Sequence, residues 1–532
     1  MVAAVSLHPH HPSARPSAEF LRMRALAEGG NANAQHTLGF MYVNGQGVEQ
    51  DFERAVSWYR QAAASGLPQA QYNLGMMYQK GQGVAQDCQQ ALYWYGCAAG
   101  QGYAAAQYNL GWMYAKGLGV AADAAQALQW FDLAAAQGDA NAQHNLGMMY
   151  EGGKGVAQDL AQAVHWYRRA AEQGHARAQF SLALRCDSGQ GAARDAQAAV
   201  GWFRKAAEQG YAPAQFNLAL RYDKGVDVEQ DSAQAVRWYE RAAEQGHASS
   251  QFNLALIHDS GHGVPRDEAL ALAWFRKAAE QGHAGAQDAL GLRYENGQGV
   301  AQDYAQALHW YRQAAAQHLP GAQYHLAQLV EAGHGMPADP AGAIAWYAKA
   351  AEQGYLRAQF DLGLRYEHGT GVAQDAALAL HWYRRAAAQE YAPAQYMVGV
   401  LLDRIDDGRA DPAEAVAWYR KAADQGHALA QFALGLRYDC GGAGIERDYR
   451  QAHHWYLCAA RQGHGRAQFN VGVMYASGQG APRDLVRAYA WLQNASQGGE
   501  AGAAGYLRRV EARMEPALLE QVRQHVAGLP QA

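Results

Sequence analysis

Cysteine is scarce. Five residues in 532, Cys88, Cys97, Cys186, Cys440 and Cys458, make an odd number at irregular spacing. A disulfide framework is excluded, and a reducing compartment, the cytoplasm, is expected. Long hydrophobic runs are missing too: no stretch of about 18 apolar residues is present to insert into a membrane. The start, Met1 to Phe20, has no apolar core of signal-peptide length and reads as a disordered tail rich in His, Pro and Ser. Charge is sparse and scattered, with 44 Lys and Arg against 49 Asp and Glu, a net of −5, and neither a basic run nor an acidic tail. That balance leaves no electrostatic footprint for nucleic acid or an anionic membrane.

Chemical motifs are absent as well. There is no His-Glu-x-x-His and no paired-cysteine motif, so no metal site is expected. Pairs such as Gly81-Gln82-Gly83 lack the third glycine, the Lys-Ser/Thr step and the preceding strand of a phosphate loop. His175, His247, His283, His427 and His464 each follow a repeat glycine, where Tyr103, Tyr211 and Tyr355 stand elsewhere, and read as packing residues at a helix exit. No catalytic residue and no cofactor is assigned.

What the chain does have is periodicity. Trp58 opens a series of thirteen tryptophans spaced 36 residues apart, with a single 37-residue step between Trp418 and Trp455, and the extra residue falls at Gly441-Gly442. Only Trp112 lies outside the series. Thirteen units thus run from about Asn31 to Gly499, preceded by a tail and short capping helix (1–30) and followed by capping helices (500–532). In the second unit, Ala70, Leu74 and Tyr78 share one helix face, and Gly75 beside them permits close approach of another helix. Gly81 and Gly83 predict a tight turn. Asp87 is the N-cap of a second helix, and an aspartate recurs seven residues before the tryptophan in all thirteen units. Pro340 and Pro412 follow that aspartate directly, at the first helical position. The second helix carries Ala91, Trp94, Tyr95, Ala98 and Ala99 and stops at Gly102. Neither helix buries its apolar face alone, so the units must stack. At the ends, Phe20, Leu21 and Leu26 suit an opening helix. Leu507, Val510 and Met514, then Leu518, Leu519, Val522 and Val526 after Pro516, suit two closing helices.

The pattern Ala-x-x-x-Leu-Gly-x-x-Tyr-x-x-Gly-x-Gly-Val-x-x-Asp-x-x-x-Ala-x-x-Trp-Tyr-x-x-Ala-Ala-x-x-Gly of Ala70 to Gly102 resembles the Sel-one-like repeat, a cousin of the tetratricopeptide repeats. The resemblance implies an all-α fold, a right-handed α/α superhelical solenoid of about thirteen two-helix repeats. It also implies an adaptor or scaffold, as family members serve in signalling, secretion control, envelope maintenance and quality control. One branch of that family carries a disulfide in each repeat and is linked to β-lactams. This chain lacks those cysteine pairs and any Ser-x-x-Lys. Departures fall in the eleventh unit, where Asp403-Arg404-Ile405-Asp406-Asp407-Gly408 replaces the glycine turn. Leu402, Val330, Cys186 and His258 also stand where the first helix elsewhere ends in an aromatic. Differently shaped turns and joints are expected in those units.

A second apolar face lies opposite Leu74 on the first helix. Its aromatic row comprises Tyr72, Tyr108, Phe180, Phe216, Phe252, Tyr324, Phe360, Tyr396, Phe432 and Phe469, with His36, His144 and Asp288 as exceptions. The row of Met76 is apolar too and includes Trp112. Two arrangements fit this stripe: a concave groove for an extended peptide or helix, or side chains buried by tight coiling. Acids from Glu151 to Asp439 run beside it, with a partial arginine series of Arg185, Arg221, Arg293, Arg365 and Arg437. These fit either a charged, peptide-reading groove or a solvated ladder of ion pairs. The expectation is a monomeric, non-enzymatic scaffold that binds protein or peptide partners on its concave face through these aromatic rings, Trp112 and the arginines from Arg221 onward. A cell-envelope regulator and a β-lactamase-like enzyme are the alternatives.

Overall fold

The computed structural model describes residues 17–404, 412–442 and 445–527. Residues 1–16 of the expected N-terminal tail, the altered turn at Ile405 to Gly408 and the aspartate Asp411 lie outside them. Contrary to a tail that reaches Phe20, Ser17 caps the opening helix and Phe20 is buried in it. Among the described residues there are twenty-nine α-helices and no strand. The chain divides into two compact units, Met1–Trp274 and Phe275–Ala532. In each, a helix packs chiefly against its neighbours in the chain, the arrangement of stacked helix pairs. In the second repeat the first (A) helix is Pro68–Lys80 and the second (B) helix Cys88–Gly100, and the other repeats follow suit.

The aspartates cap as expected. Asp87 Oδ1 accepts from the Gln89 and Gln90 amides at 2.9 and 3.0 Å, and the other eleven described aspartates of the series do the same for their own B helices. The same residue ties the pair together, because the Asp87 amide donates to the Tyr78 carbonyl at 3.0 Å. That bond explains a correction. The turns after Cys186, His258 and Val330 are not differently shaped: their glycines keep φ between 70° and 79°. The aspartate amides still reach those carbonyls at 2.8–2.9 Å, since the bond needs main chain and not the aromatic ring. The twelfth repeat absorbs its extra residue in the turn, where Gly442 and Ile445 pair as a small bridge.

The core is small-residue and aromatic. Ala70 and Leu74 of the A helix cluster with Ala55, Val56, Tyr59, Ala62 and Ala63 of the preceding B helix, and Ala91, Tyr95, Ala98 and Ala99 cluster with Ala106 and Leu110 of the next A helix, all buried. Gly75 permits close approach of its own B helix as expected: a Cβ there would stand 2.9 Å from the Tyr95 ring. The periodic tryptophan is not the core residue. Trp94 is half-buried, as are its counterparts apart from the buried Trp382, while the tyrosine or phenylalanine beside it is enclosed in every repeat from Tyr59 to Tyr456. The opening helix Ala18–Glu28 buries Phe20 and Ala27, whereas Leu21 and Leu26 face solvent. The closing helices are Ala503–Glu511 and Pro516–Ala527, which bury Val510 and Val522, with Met514 buried in the turn between them.

A buried glutamine joins successive repeats. Gln71 Nε2 donates to the Ala63 carbonyl of the preceding B helix at 3.3 Å, and its Oε1 accepts from Gln101 Nε2 of its own B-helix end at 2.8 Å. The arrangement recurs through Gln107, Gln143, Gln179 and Gln215 in the first unit, and through Gln287, Gln323, Gln359, Gln395 and Gln431 in the second. The first glutamine is incomplete. Gln35 Nε2 reaches Ala27, but Oε1 has no partner, because Ser65 stands where Gln101 stands one repeat later. Ser65→Gln is therefore expected to raise stability by about 1 kcal/mol, read as a higher urea midpoint. Gln215→Leu is expected to cost about 1–3 kcal/mol, because it removes the buried bond to the Ala207 carbonyl and the link to Gln245.

The periodic histidines do more than pack. His175 Nδ1 accepts from the Ala178 amide at 3.1 Å, and His247, His283, His427 and His464 cap their A helices likewise. His175 also lies against His144, ring centroids 4.9 Å apart. Burial first, then the nearby His175 and Arg177 charges, hold the buried His144 imidazole down at about 4. An unfolded imidazole titrates near 6.5, so the unfolded chain takes up this proton first as pH falls. The stability from His144 is intact above about pH 6.5 and is lost on the way down to about 4, a loss of about 3 kcal/mol. His144→Phe is expected to shrink the difference between melts at pH 7.5 and pH 4.5 by most of that amount.

Candidate functional site

The A helix presents three rows beyond its core edge. The first is the aromatic row. Its rings are neither open nor enclosed: Tyr72, Tyr108, Phe180, Phe216, Phe252, Phe360, Tyr396, Phe432 and Phe469 are half-buried, and only Tyr324 is buried. Tyr72, Phe180, Phe216, Tyr324, Phe360, Tyr396 and Phe432 each pack on their own repeat's B-helix aromatic and on the residue that caps the next A helix. Tyr72 lies 5.7 Å from Tyr95 and 5.3 Å from Tyr103, and Phe360 lies 5.6 Å from Tyr383 and 5.3 Å from Tyr391. Phe469, in the last repeat, meets Tyr506 of the closing helix edge-on at 5.2 Å. Such contacts contribute packing energy as well as surface.

The second row is the open one. Phe40 and Met148 are 46% exposed, Leu256 43% and Leu436 38%, while Met76, Trp112, Leu184, Leu220, Leu292, Leu364, Val400 and Val473 are half-buried. One departure interrupts it: Gln328 donates to the Tyr324 hydroxyl at 3.0 Å, and that hydroxyl donates to Asp361 at 2.9 Å.

The third row holds the charges, and they are turned into the stack. The B-helix tyrosine hydroxyl donates to the acid of its own repeat, Tyr167 to Glu151 at 2.6 Å, Tyr311 to Glu295 at 2.6 Å and Tyr419 to Asp403 at 2.6 Å. The arginine of the following repeat then pairs with that acid. Arg221 reaches Asp187 at 2.7 Å, Arg365 chelates Glu331, Arg437 meets Asp403, and Arg185 lies 3.6 Å from Glu151. Arg221 and Arg293 are buried, 8% and 4% exposed, with their guanidinium groups over Phe203 and Phe275. Arg365 similarly covers the Tyr347 ring at 4.0 Å. Removing one partner from such a joint strands a desolvated charge. The sequence reading missed this direction of the arginines and the hydroxyl–acid bond. The one available signal was the spacing: acid and tyrosine stand 16 residues apart, acid and arginine 34.

Among the described residues no group of His, Cys, Asp and Glu could hold a metal ion, and all five cysteines are free. Among the described residues no helix is long and apolar enough to cross a membrane.

No curated protein matches the chain. Among solved structures it is similar to a protective antigen present in uropathogenic Escherichia coli strains displaying an SLR fold. Identity is 32%, over 96% of this chain and 93% of that one, with a TM-score of 0.49. A Sel1 repeat protein from Oxalobacter formigenes is 34% identical over 58% of this chain and 90% of its own, with a TM-score of 0.47. An immunity protein from Pseudomonas aeruginosa is 23% identical over 40% of this chain and 81% of its own, with a TM-score of 0.26. The model of the Sel1 repeat matches thirteen consecutive times, from residues 32–67 to 465–500. With nearly every residue between the opening and closing helices so matched, this chain belongs to the Sel1 repeat family.

Proposed function

We propose that the protein is a non-enzymatic scaffold or adaptor, acting as a monomer in the cytoplasm, that holds protein or peptide partners along its A-helix face. The fold is of a protein-interaction scaffold type. The observation that carries the reading is the second row. Stacking uses the core edge, half-covers the aromatic row and turns the charges inward, yet leaves Phe40, Met148, Leu256 and Leu436 open at the same helical position. Four apolar side chains left open at one register, beside eight that are half-buried, suit a surface that a partner covers. The aromatic rings and Trp112 form the floor of this surface, and Arg221, Arg293, Arg365 and Arg437 set its shape by locking repeats together. Free cysteines accord with a reducing compartment.

The triple variant Phe40→Glu, Met148→Glu, Leu256→Glu tests this by affinity capture with quantitative mass spectrometry. Partners retained by the natural chain are expected to fall at least tenfold at unchanged melting temperature, since these positions are exposed. Phe216→Ala, Phe252→Ala and Phe360→Ala together are expected to reduce capture too, but with a stability loss of about 1–2 kcal/mol per ring, because the rings are half-packed. Capture undiminished in the glutamate variant would sink the proposal.

A further inference from the structure

The A-helix face is not uniform along the first unit, and the difference specifies a partner. From the fourth to the twelfth repeat the third row is acidic, beginning with Glu151 and Asp187, but in the first three repeats the same position is Val43, Gln79 and Ala115. There the B-helix tyrosine meets a neutral group instead, Tyr95 donating to Gln79 Oε1 at 2.7 Å. One residue further along, the second and third repeats carry Lys80 and Lys116, both exposed. Neither makes an ion pair among the described residues. The first three repeats thus join an apolar face, Phe40, Met76 and Trp112, to two uncompensated positive charges.

A cavity lies in the same place. Between the first two repeats a space of about 290 Å³ is lined by the apolar Phe40, Val43, Met76 and Met77 together with polar groups that include His36, Asn73 and Lys80. Lys80 is the one Lys, Arg, Asp or Glu in that lining. The volume sits at the small end of ligand pockets and suits one large side chain. Its two methionines give the wall an adaptable shape.

Resting on the function proposed above, we infer that the first three repeats bind an acidic peptide segment. One bulky apolar side chain of the segment enters the cavity between repeats one and two. The carboxylates flanking it face Lys80 and Lys116. Charge complementarity selects the sign of the partner: a basic segment would bring like charges together with no carboxylate at hand to offset them. In the later repeats the acids are already consumed by tyrosine hydroxyls and arginines, so the selectivity is confined to this end of the first unit. Because Lys80 and Lys116 are exposed, the attraction is screened by salt.

The test pans a random twelve-residue phage-displayed library on the full chain. The enriched sequence is then titrated as a fluorescein-labelled peptide by fluorescence anisotropy. Enrichment of a large apolar residue flanked by Asp or Glu is expected, with affinity falling at least tenfold in Lys80→Glu/Lys116→Glu and in Phe40→Ala. Replacing the peptide's acids with lysine should restore binding to the charge-reversed variant. Selected peptides that are basic or neutral, or that ignore the lysine change, would overturn the inference. If those peptides still lose affinity on Leu436→Glu or Met148→Glu, the broader A-helix reading stands; if no A-helix variant affects them, that reading falls too.

Discussion

A carboxamide with both ends bonded and no water at hand holds this protein in register. Ten buried glutamines, Gln71 and its counterparts through Gln431, each bridge the end of one B helix, the start of the next A helix and the end of that A helix's own partner. Left half-paired, such a group costs more than an ordinary hydrogen bond contributes, so the three helix ends must arrive together. The twelfth repeat shows how strictly this is kept. Its extra residue lengthens the separation between the two glutamines to 31, yet Gln462 and Gln431 still meet at 2.8 Å. The insertion is expelled into the turn at Gly442 and Ile445 and leaves the joint untouched.

With the helix ends tied there, the middle of each pair is free to use small residues and one large ring. The glycine or alanine of the A helix admits the B-helix tyrosine. That tyrosine's hydroxyl then emerges beside the third row and takes an acid, and the next repeat's arginine closes over the acid. One line of contacts therefore runs from the core to the face that a partner would meet. The charges there stiffen the joint between neighbours, and the apolar second row is covered only in part: Met76, Trp112, Leu184 and Leu364 pack against the core, while Phe40, Met148, Leu256 and Leu436 stay open. The face can vary from repeat to repeat without disturbing the stack. The neutral, lysine-edged beginning and the acid- and arginine-laced later repeats differ in this way.

Much of this was legible in the residues because it is written in local chemistry. An aspartate before a helix, glycines at positive φ and apolar residues four apart act within a few residues of themselves, and each did what its spacing predicts. The limits show at particular places. The periodic tryptophan draws the eye, but the tyrosine one residue on, turned by about 100° around the helix, is the side chain that the core encloses. Turns with Cys186, His258 or Val330 before them keep their form because the deciding bond is made by a carbonyl. Leu21 and Leu26 face water although both are larger than the buried Ala27, because the next repeat offers its cover to Phe20 and Ala27.

By itself the sequence determined the helix pair, its caps, its turns and its thirteenfold repetition, since those depend on neighbours within one or two helical turns. Only the tertiary structure decided which apolar row stays open, that Gln71 and its counterparts are joints, and that the arginines point into the stack. Those outcomes depend on groups some thirty residues away in the chain, brought near only by stacking. Spacing along one helix cannot say which of two apolar faces the next helix will cover.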